Sequence, residues 1–308
     1  MGRKLLLGLV ALVFTATTAS AASIGRVKTL GQGKFAVDQF NDVVLDREMK
    51  AKTQSESGTL SGSYNLLNSN GVAVATITNL SATYGISSTD QPDLDKVYIS
   101  GAGFTYGLLD KLDIYARLGV SGGDLKGGSG TATFTGTATN VKVNGVNYGP
   151  VTVSQRLDAT WKEELKQGLA YALGLKYTEP FSNGLIAGMD LLFLGQENKF
   201  KNTIDYTLSG DIVGSGSYSE NGKGRMYEWQ AAPYIAKEMG AFTPYAGVKY
   251  SQVSLRSNVD GEKTKFSSEN NAGVFLGTDI NWGKSVIINF EGRFIDETAL
   301  SARATFKF

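Results

Sequence analysis

The sequence predicts an all-β chain folded as a closed, antiparallel, up-and-down β-barrel of about ten strands, with eight to twelve admissible, whose hydrophobic surface faces outward. Three observations predict it. Apolar and polar residues alternate with period two in ten separate segments. The links between these segments alternate between short and long. The composition, 38 Gly against 5 Pro with 10% aromatic and 19% charged residues, suits many strands and turns better than helices.

Along the chain, Arg3 and Lys4 precede the apolar run 5–14 and an Ala19-Ser20-Ala21 site. This predicts a secretory signal peptide over 1–21. The run is about half the length that a membrane-spanning helix needs. No Cys follows the expected cleavage point, so a lipoprotein signal is excluded. Removing Arg3 and Lys4 leaves 28 basic and 29 acidic residues in the chain from Ala22, a net charge of −1. Residues 22–308 form a single expected barrel domain, and no stretch of it approaches the length of a transmembrane helix.

The first candidate strand, 33–50, has the weakest pattern, because Gln39 and Asn41 fall on the parity that ought to be apolar. The next, 96–108, is followed by 112–121, where Leu112, Ile114, Ala116, Leu118 and Val120 oppose Asp113, Tyr115, Arg117 and Gly119. In 165–177, Leu165, Leu169, Tyr171, Leu173, Leu175 and Tyr177 oppose Lys166, Gly168, Ala170, Ala172, Gly174 and Lys176. Weaker alternation marks 185–196, 226–238 and 243–255. It is plain again in 272–282, where Phe275 breaks the polar side, and in 286–294 and 300–308. Long links rich in Gly, Ser, Thr and Asn are expected as surface loops near 51–93, 126–163 and 201–223, with a further one near 258–266. The link near 296–298 is short on the side where long ones are expected.

A soluble barrel or sandwich turns its charged parity to water. Here that parity is rich in Gly, Ala and Ser with isolated acids and bases, which suits the tight interior of a small barrel. The apolar parity is continuous and ends near the short turns in Tyr106, Tyr177, Phe181, Phe242, Trp282, Phe306 and Phe308, as an interfacial aromatic girdle does. Alternating strands, one end with short turns and an even strand count together indicate a transmembrane β-barrel, closed because lipid cannot satisfy a free strand edge.

The hairpin 104–119, with Tyr106-Gly107-Leu108-Leu109 before an acidic turn, and the last strand ending in Phe308 resemble those of bacterial outer-membrane β-barrel proteins. The resemblance covers most of the mature chain and names a class, not an activity. It implies insertion in outer-membrane lipid with short turns in the periplasm and long loops outside. It further implies periplasmic chaperones and the barrel assembly machinery as partners, the latter reading Phe306 and Phe308 as an assembly signal.

With about ten strands, side chains can fill the interior; open aqueous channels are typical of larger barrels. The inward parity carries Asp38, Asp42, Asp113, Asp190, Glu228, Asp279 and Glu291 along with Arg117, Lys166, Lys176, Lys249, Arg293, Arg303 and Lys307. Rings of one sign make selective pores. Balanced charges in a narrow, poorly polarisable space pair instead, because an unpaired one there is costly. A largely plugged lumen follows.

Zero His and zero Cys exclude imidazole or thiolate metal sites, disulfides and Ser/His or Cys/His catalysis. The near-neutral charge gives no footprint for nucleic acid. Gly119-Val120-Ser121-Gly122-Gly123 fits G-x-S-x-G with no base to activate the serine, and the stretch 31–36 fits a dinucleotide fingerprint without the strand and helix it requires. Asp90, Asp93 and Asp95 lack the spacing of an EF-hand and read as solvated acids. The expectation is a non-enzymatic barrel without cofactor, structural or surface-exposed. A narrow porin-like channel is the first alternative and a soluble secreted β-protein the second. Nothing in the residues sets the oligomeric state.

Overall fold

The computed structural model describes residues 23–67, 73–90, 93–143, 146–211, 213–259 and 262–308. The expected signal peptide, 1–21, lies outside them. Among the described residues there are sixteen strands, numbered along the chain. They are β1 (Phe35–Asp46), β2 (Lys52–Leu67), β3 (Ala73–Asp90), β4 (Leu94–Leu109), β5 (Leu112–Leu125), β6 (Gly128–Ala138), β7 (Asn140–Val143) and β8 (Val146–Asn147). There follow β9 (Val151–Pro180), β10 (Leu185–Gly210), β11 (Gly214–Lys237), β12 (Phe242–Val259), β13 (Glu262–Ser267), β14 (Ala272–Trp282), β15 (Val286–Phe294) and β16 (Thr298–Lys307).

Ten of these close a ring by antiparallel pairing. Its order is β1–β4–β5–β9–β10–β11–β12–β14–β15–β16, and β16 returns to β1. Every member of the ring coincides with one of the ten segments that alternation marks in the sequence. The seam is stitched to the last residue: Phe308 N–H donates to Phe35 O at 2.9 Å, and the two rings stack at 5.2 Å.

The expected surface loops are mostly β-structure. β9, β10 and β11 run for 30, 26 and 24 residues. That is more than twice the roughly 9 to 11 residues that a tilted strand needs to cross lipid, so the upper halves stand clear of the membrane. The link 201–223 is thus the continuation of β10 and β11, joined in unbroken register from Leu185↔Lys237 to Leu208↔Gly214. β2, β3, β6, β7 and β8 extend the sheet in the same direction. Ser, Thr and Gly on both faces hide this from a search for apolar alternation.

The facing is inverted relative to a soluble barrel. Ile114, Leu118, Leu173, Leu191, Phe193, Leu276, Phe290 and Leu300 are exposed on the outside, while Asp113, Arg117, Lys176, Asp190, Asp279, Asn289, Arg293 and Arg303 are buried inside. All seven residues expected in the lower aromatic girdle are exposed. Gln39 and Asn41 do point outward on β1, as parity requires, with Phe40 and Val44 inside. Asn41 is satisfied there by Ser100 of β4, whose hydroxyl donates to Asn41 Oδ1 at 2.7 Å. Phe275 breaks the polar side of its strand because it is a lumen residue packed against Tyr245.

One stretch departs from the expected parity. Leu165 is buried and Lys166 is exposed, paired with Glu164 at 2.7 Å. Against both neighbours β9 carries one residue more at this height: Gly168 to Leu165 spans Ser121 to Gly123 of β5, and Leu169 to Leu165 spans Glu197 to Phe200 of β10. This one extra residue in β9 reverses inside and outside along the strand above Leu169, as a bulge does. Leu173 stands below the slip with 62% of its surface exposed. Leu173→Arg is therefore expected to destabilise the lipid-embedded protein by about 2 to 4 kcal/mol, whereas Ala172→Ser, pointing inward, is mild. Unfolding titrations in vesicles decide the point; equal small effects refute the facing.

Candidate functional site

The lumen is the functional site that sequence parity proposes, and all ten of the charges singled out there are buried: Asp113, Arg117, Lys176, Asp190, Glu228, Lys249, Asp279, Glu291, Arg293 and Arg303. Asp38 and Asp42 are buried with them, whereas Lys307 is half-buried at the lower rim and Lys166 lies outside. Burial alone does not make a machine. What the arrangement does follows from three layers stacked along the barrel axis.

The lowest layer is built by a segment that the alternation could not reveal. Residues 23–30 have no regular structure and descend inside the barrel to its short-turn end, with Ser23, Ile24, Arg26, Val27 and Leu30 buried. Lumen side chains, not strands, satisfy this strap. Val27 N–H donates to Asp279 Oδ2 at 2.8 Å, Leu30 N–H to Asp113 at 3.1 Å and Ile24 N–H to Glu291 Oε2 at 3.3 Å. Its carbonyls accept in turn from Arg117 at Ser23, at 3.3 Å, and from the Tyr234 hydroxyl at Val27. Arg26 forms an ion pair with Asp113. Gly25 has a positive φ of 65°, a conformation glycine takes without strain, and a Cβ there would meet the Arg303 guanidinium at 2.1 Å and displace it.

Around the strap the wall charges pair among themselves. Lys176 meets Asp190 at 2.8 Å, and the Tyr115 hydroxyl donates to the same carboxylate at 2.6 Å. Asn289 bridges Asp279 at 2.8 Å and the Tyr245 hydroxyl, which donates to Glu291 at 2.9 Å. Arg117 and Arg303 both lie over the Phe40 ring, at 5.7 and 5.6 Å.

The middle layer closes on Arg47, which the sequence reading placed in no site. It is 1% exposed and reaches Glu228 at 3.0 Å, Glu297 at 3.2 Å and the Ser251 hydroxyl at 2.6 Å. Asp296 and Glu297 come from the link between β15 and β16, the one that is short on the long-loop side. Ile295 takes φ of 84°, a conformation a β-branched residue rarely adopts. The strained turn swings the next two carboxylates into the lumen, where Lys249 pairs with both and is 2.9 Å from Asp296. Arg293 adds contacts of 3.0 Å to Glu291 and 3.1 Å to Glu297. The third layer is apolar: Met49, Leu94, Val97, Leu125, Leu165, Phe200, Met226, Val253, Leu255 and Phe266 fill the upper barrel. Two interior spaces beside Arg117 measure about 10 Å³ each, room for about one water apiece.

Above the membrane, β3, β6 and β9 frame an open groove of about 900 Å³ beside Trp161, whose indole N–H donates to Asp90 at 3.3 Å. Burial raises the Asp90 carboxyl, and burial together with the charges of Asp90 and Glu220 pushes Glu163 up to about 7. Of the three aspartates expected to be solvated, Asp93 is instead buried and accepts from Met49 N–H at 2.8 Å.

No family model matches the chain. Among curated proteins it is similar to the major outer membrane porin of Chlamydia trachomatis, serovar B. The two are 22% identical, over 87% of this chain and 84% of that one. The serovar A porin matches to the same extent. Solved structures with a likeness include the outer-membrane protease OmpT of Escherichia coli, 10% identical over 93% of this chain and 100% of that one, with a TM-score of 0.45. An outer-membrane channel from Pseudomonas putida F1 is 12% identical over 94% of this chain, with a TM-score of 0.36. The chain is an outer-membrane β-barrel protein. Its outward apolar belt meets membrane lipid, and its charged interior is shielded from it.

Proposed function

We propose that this outer-membrane barrel is a non-enzymatic, structural or surface-presenting protein whose lumen is shut. The carrying observation is the three-layer filling: strap, Arg47 cluster and apolar cap succeed one another along the axis. The absence of His and Cys from the whole sequence supports the non-enzymatic reading. In planar bilayers the purified protein is expected to show no steady stepwise current, and reproducible open events end the proposal.

A second reading, a narrow porin-like channel, is favoured by two observations. The curated relatives are porins, and the strap is held by side chains, without a strand ladder that would have to be broken to move it. The same conductance measurement separates the two readings.

The closing strand supports a proposal on biogenesis, in which Phe306 and Phe308 are read by the barrel assembly machinery after delivery by periplasmic chaperones. Both rings point outward at the seam. Deleting Phe308 is expected to leave most of the protein unfolded in cells, seen as loss of the fast-migrating form on unheated gels. Normal assembly of the truncated chain refutes the signal.

A further inference from the structure

We propose that the outer face of β10–β13, just above the apolar belt, is a binding site for a lipid headgroup carrying at least two phosphates in the outer leaflet. The proposal rests on the outer-membrane reading and goes beyond it by naming a ligand class and residues. The observation is a pair of like-charged rungs. On one, Lys265 of β13 faces Arg256 of β12, which faces Arg225 of β11. On the next, two residues along each strand, Lys263 faces Asn258, which faces Lys223, which faces Lys199 of β10. All six cationic residues are exposed on the outside. Directly opposite side chains on neighbouring strands stand about 5 Å apart at Cβ, and like charges there destabilise a sheet.

The acids at hand do not relieve this. Glu197 sits in register with Arg225 and pairs with it at 3.2 Å, leaving Arg256 and Lys265 on that rung. Glu164, in register with Lys201, is already engaged by Lys166 at 2.7 Å. A sheet that sets Arg225, Arg256 and Lys265 side by side is therefore built for an anion supplied from outside.

Position says which anion. The rung immediately below carries Tyr227, stacked on Phe193 at 6.2 Å, and the one below that Phe193 and Trp229, with Tyr250 tilted against Trp229 at 5.2 Å. Aromatic rings of this kind mark the boundary between hydrocarbon and headgroups. The cations begin one step above that boundary, where lipid phosphates lie, and on the long-loop side. Four strands at about 4.8 Å spacing and two rungs about 7 Å apart make a plate large enough for more than one phosphate. Arginine supplies two-pronged donation to each and lysine a point charge. Arg256 also lies over the Tyr227 ring at 5.9 Å, which holds its guanidinium at the boundary.

The test uses the full mature chain folded in detergent and transferred to nanodiscs of phosphatidylcholine doped with either a diphosphorylated glycolipid or phosphatidylglycerol, with native mass spectrometry counting retained lipids. Wild type is expected to retain the diphosphorylated lipid in preference to phosphatidylglycerol. Lys223→Gln with Arg256→Gln is expected to weaken retention roughly thirty-fold, while Lys111→Gln at the opposite rim changes nothing. Heat-dependent gel migration verifies that each variant is folded. Undiminished retention in the folded double variant overturns the site. So does equal retention of the two lipids, which is surface electrostatics without a site, and so does displacement by millimolar inorganic phosphate, which is an anion site without a lipid. If the protein fails to enter nanodiscs at all, the membrane reading itself has failed, a different result from any of these.

Discussion

Replacing Arg47 with Met is expected to destabilise the folded barrel by about 3 to 5 kcal/mol, the cost of removing one partner from a buried ion cluster and leaving the rest uncompensated. Arg47 and its three acidic partners are each about 1% exposed or less, so water cannot enter to replace the guanidinium. The loss falls unevenly. Asp296 and Glu297 keep Lys249, and Glu297 keeps Arg293 as well. Glu228 has Arg47 as its ion-pair partner among the described residues and would be stranded. Adding Glu228→Gln to Arg47→Met is therefore expected to recover part of the lost stability, since a neutral amide costs far less to keep dry than a carboxylate. Urea titration of the vesicle-inserted protein measures both. A loss under about 1 kcal/mol for Arg47→Met, with no effect of the second change, means that the layer is hydrated and the lumen is not shut there.

Why Arg47 escaped sequence reasoning, while Arg293 and Arg303 did not, shows what period-two alternation can reach. Alternation is legible where lipid presses on one face and the charged lumen on the other, and this held for all ten ring strands. Within that band Asp113, Arg117, Lys176 and Asp279 could be assigned by counting residues. Arg47 lies past a register shift between Val44 and Asp46, so counting from Asp42 puts it on the wrong side. Leu165 and Lys166 fail for the same reason. Asp296 and Glu297 occupy a turn, where parity has no meaning, and their direction is set by the Ile295 backbone. The upper strands were hidden differently: they face water on the outside, so Thr131, Thr133 and Thr135 of β6 carry no apolar stripe although they pair in register with β3 and β9.

The strap is the deepest omission, and Arg26→Met tests it. The change is expected to cost about 3 to 5 kcal/mol, because Asp113, with a side chain 0% exposed, would keep two contacts from Leu30 N–H but lose its directly paired cation. Asp113→Asn alone removes the charge but leaves Arg26 buried, so it is also costly. The double variant is expected to be milder than the two losses added, since neither charge is then left without its counterpart. That non-additivity is what a strap engaged inside the lumen demands. If the strap hung free in the periplasm, Arg26→Met would fall within about 0.5 kcal/mol of wild type, as ordinary surface changes do, and the pair would show no coupling. A cysteine at Ser23 gives an independent reading. It is expected to resist a membrane-impermeant thiol reagent in the intact barrel and to react once the protein is unfolded. Rapid labelling of the folded protein would place the strap outside and leave the lower half of the lumen unfilled.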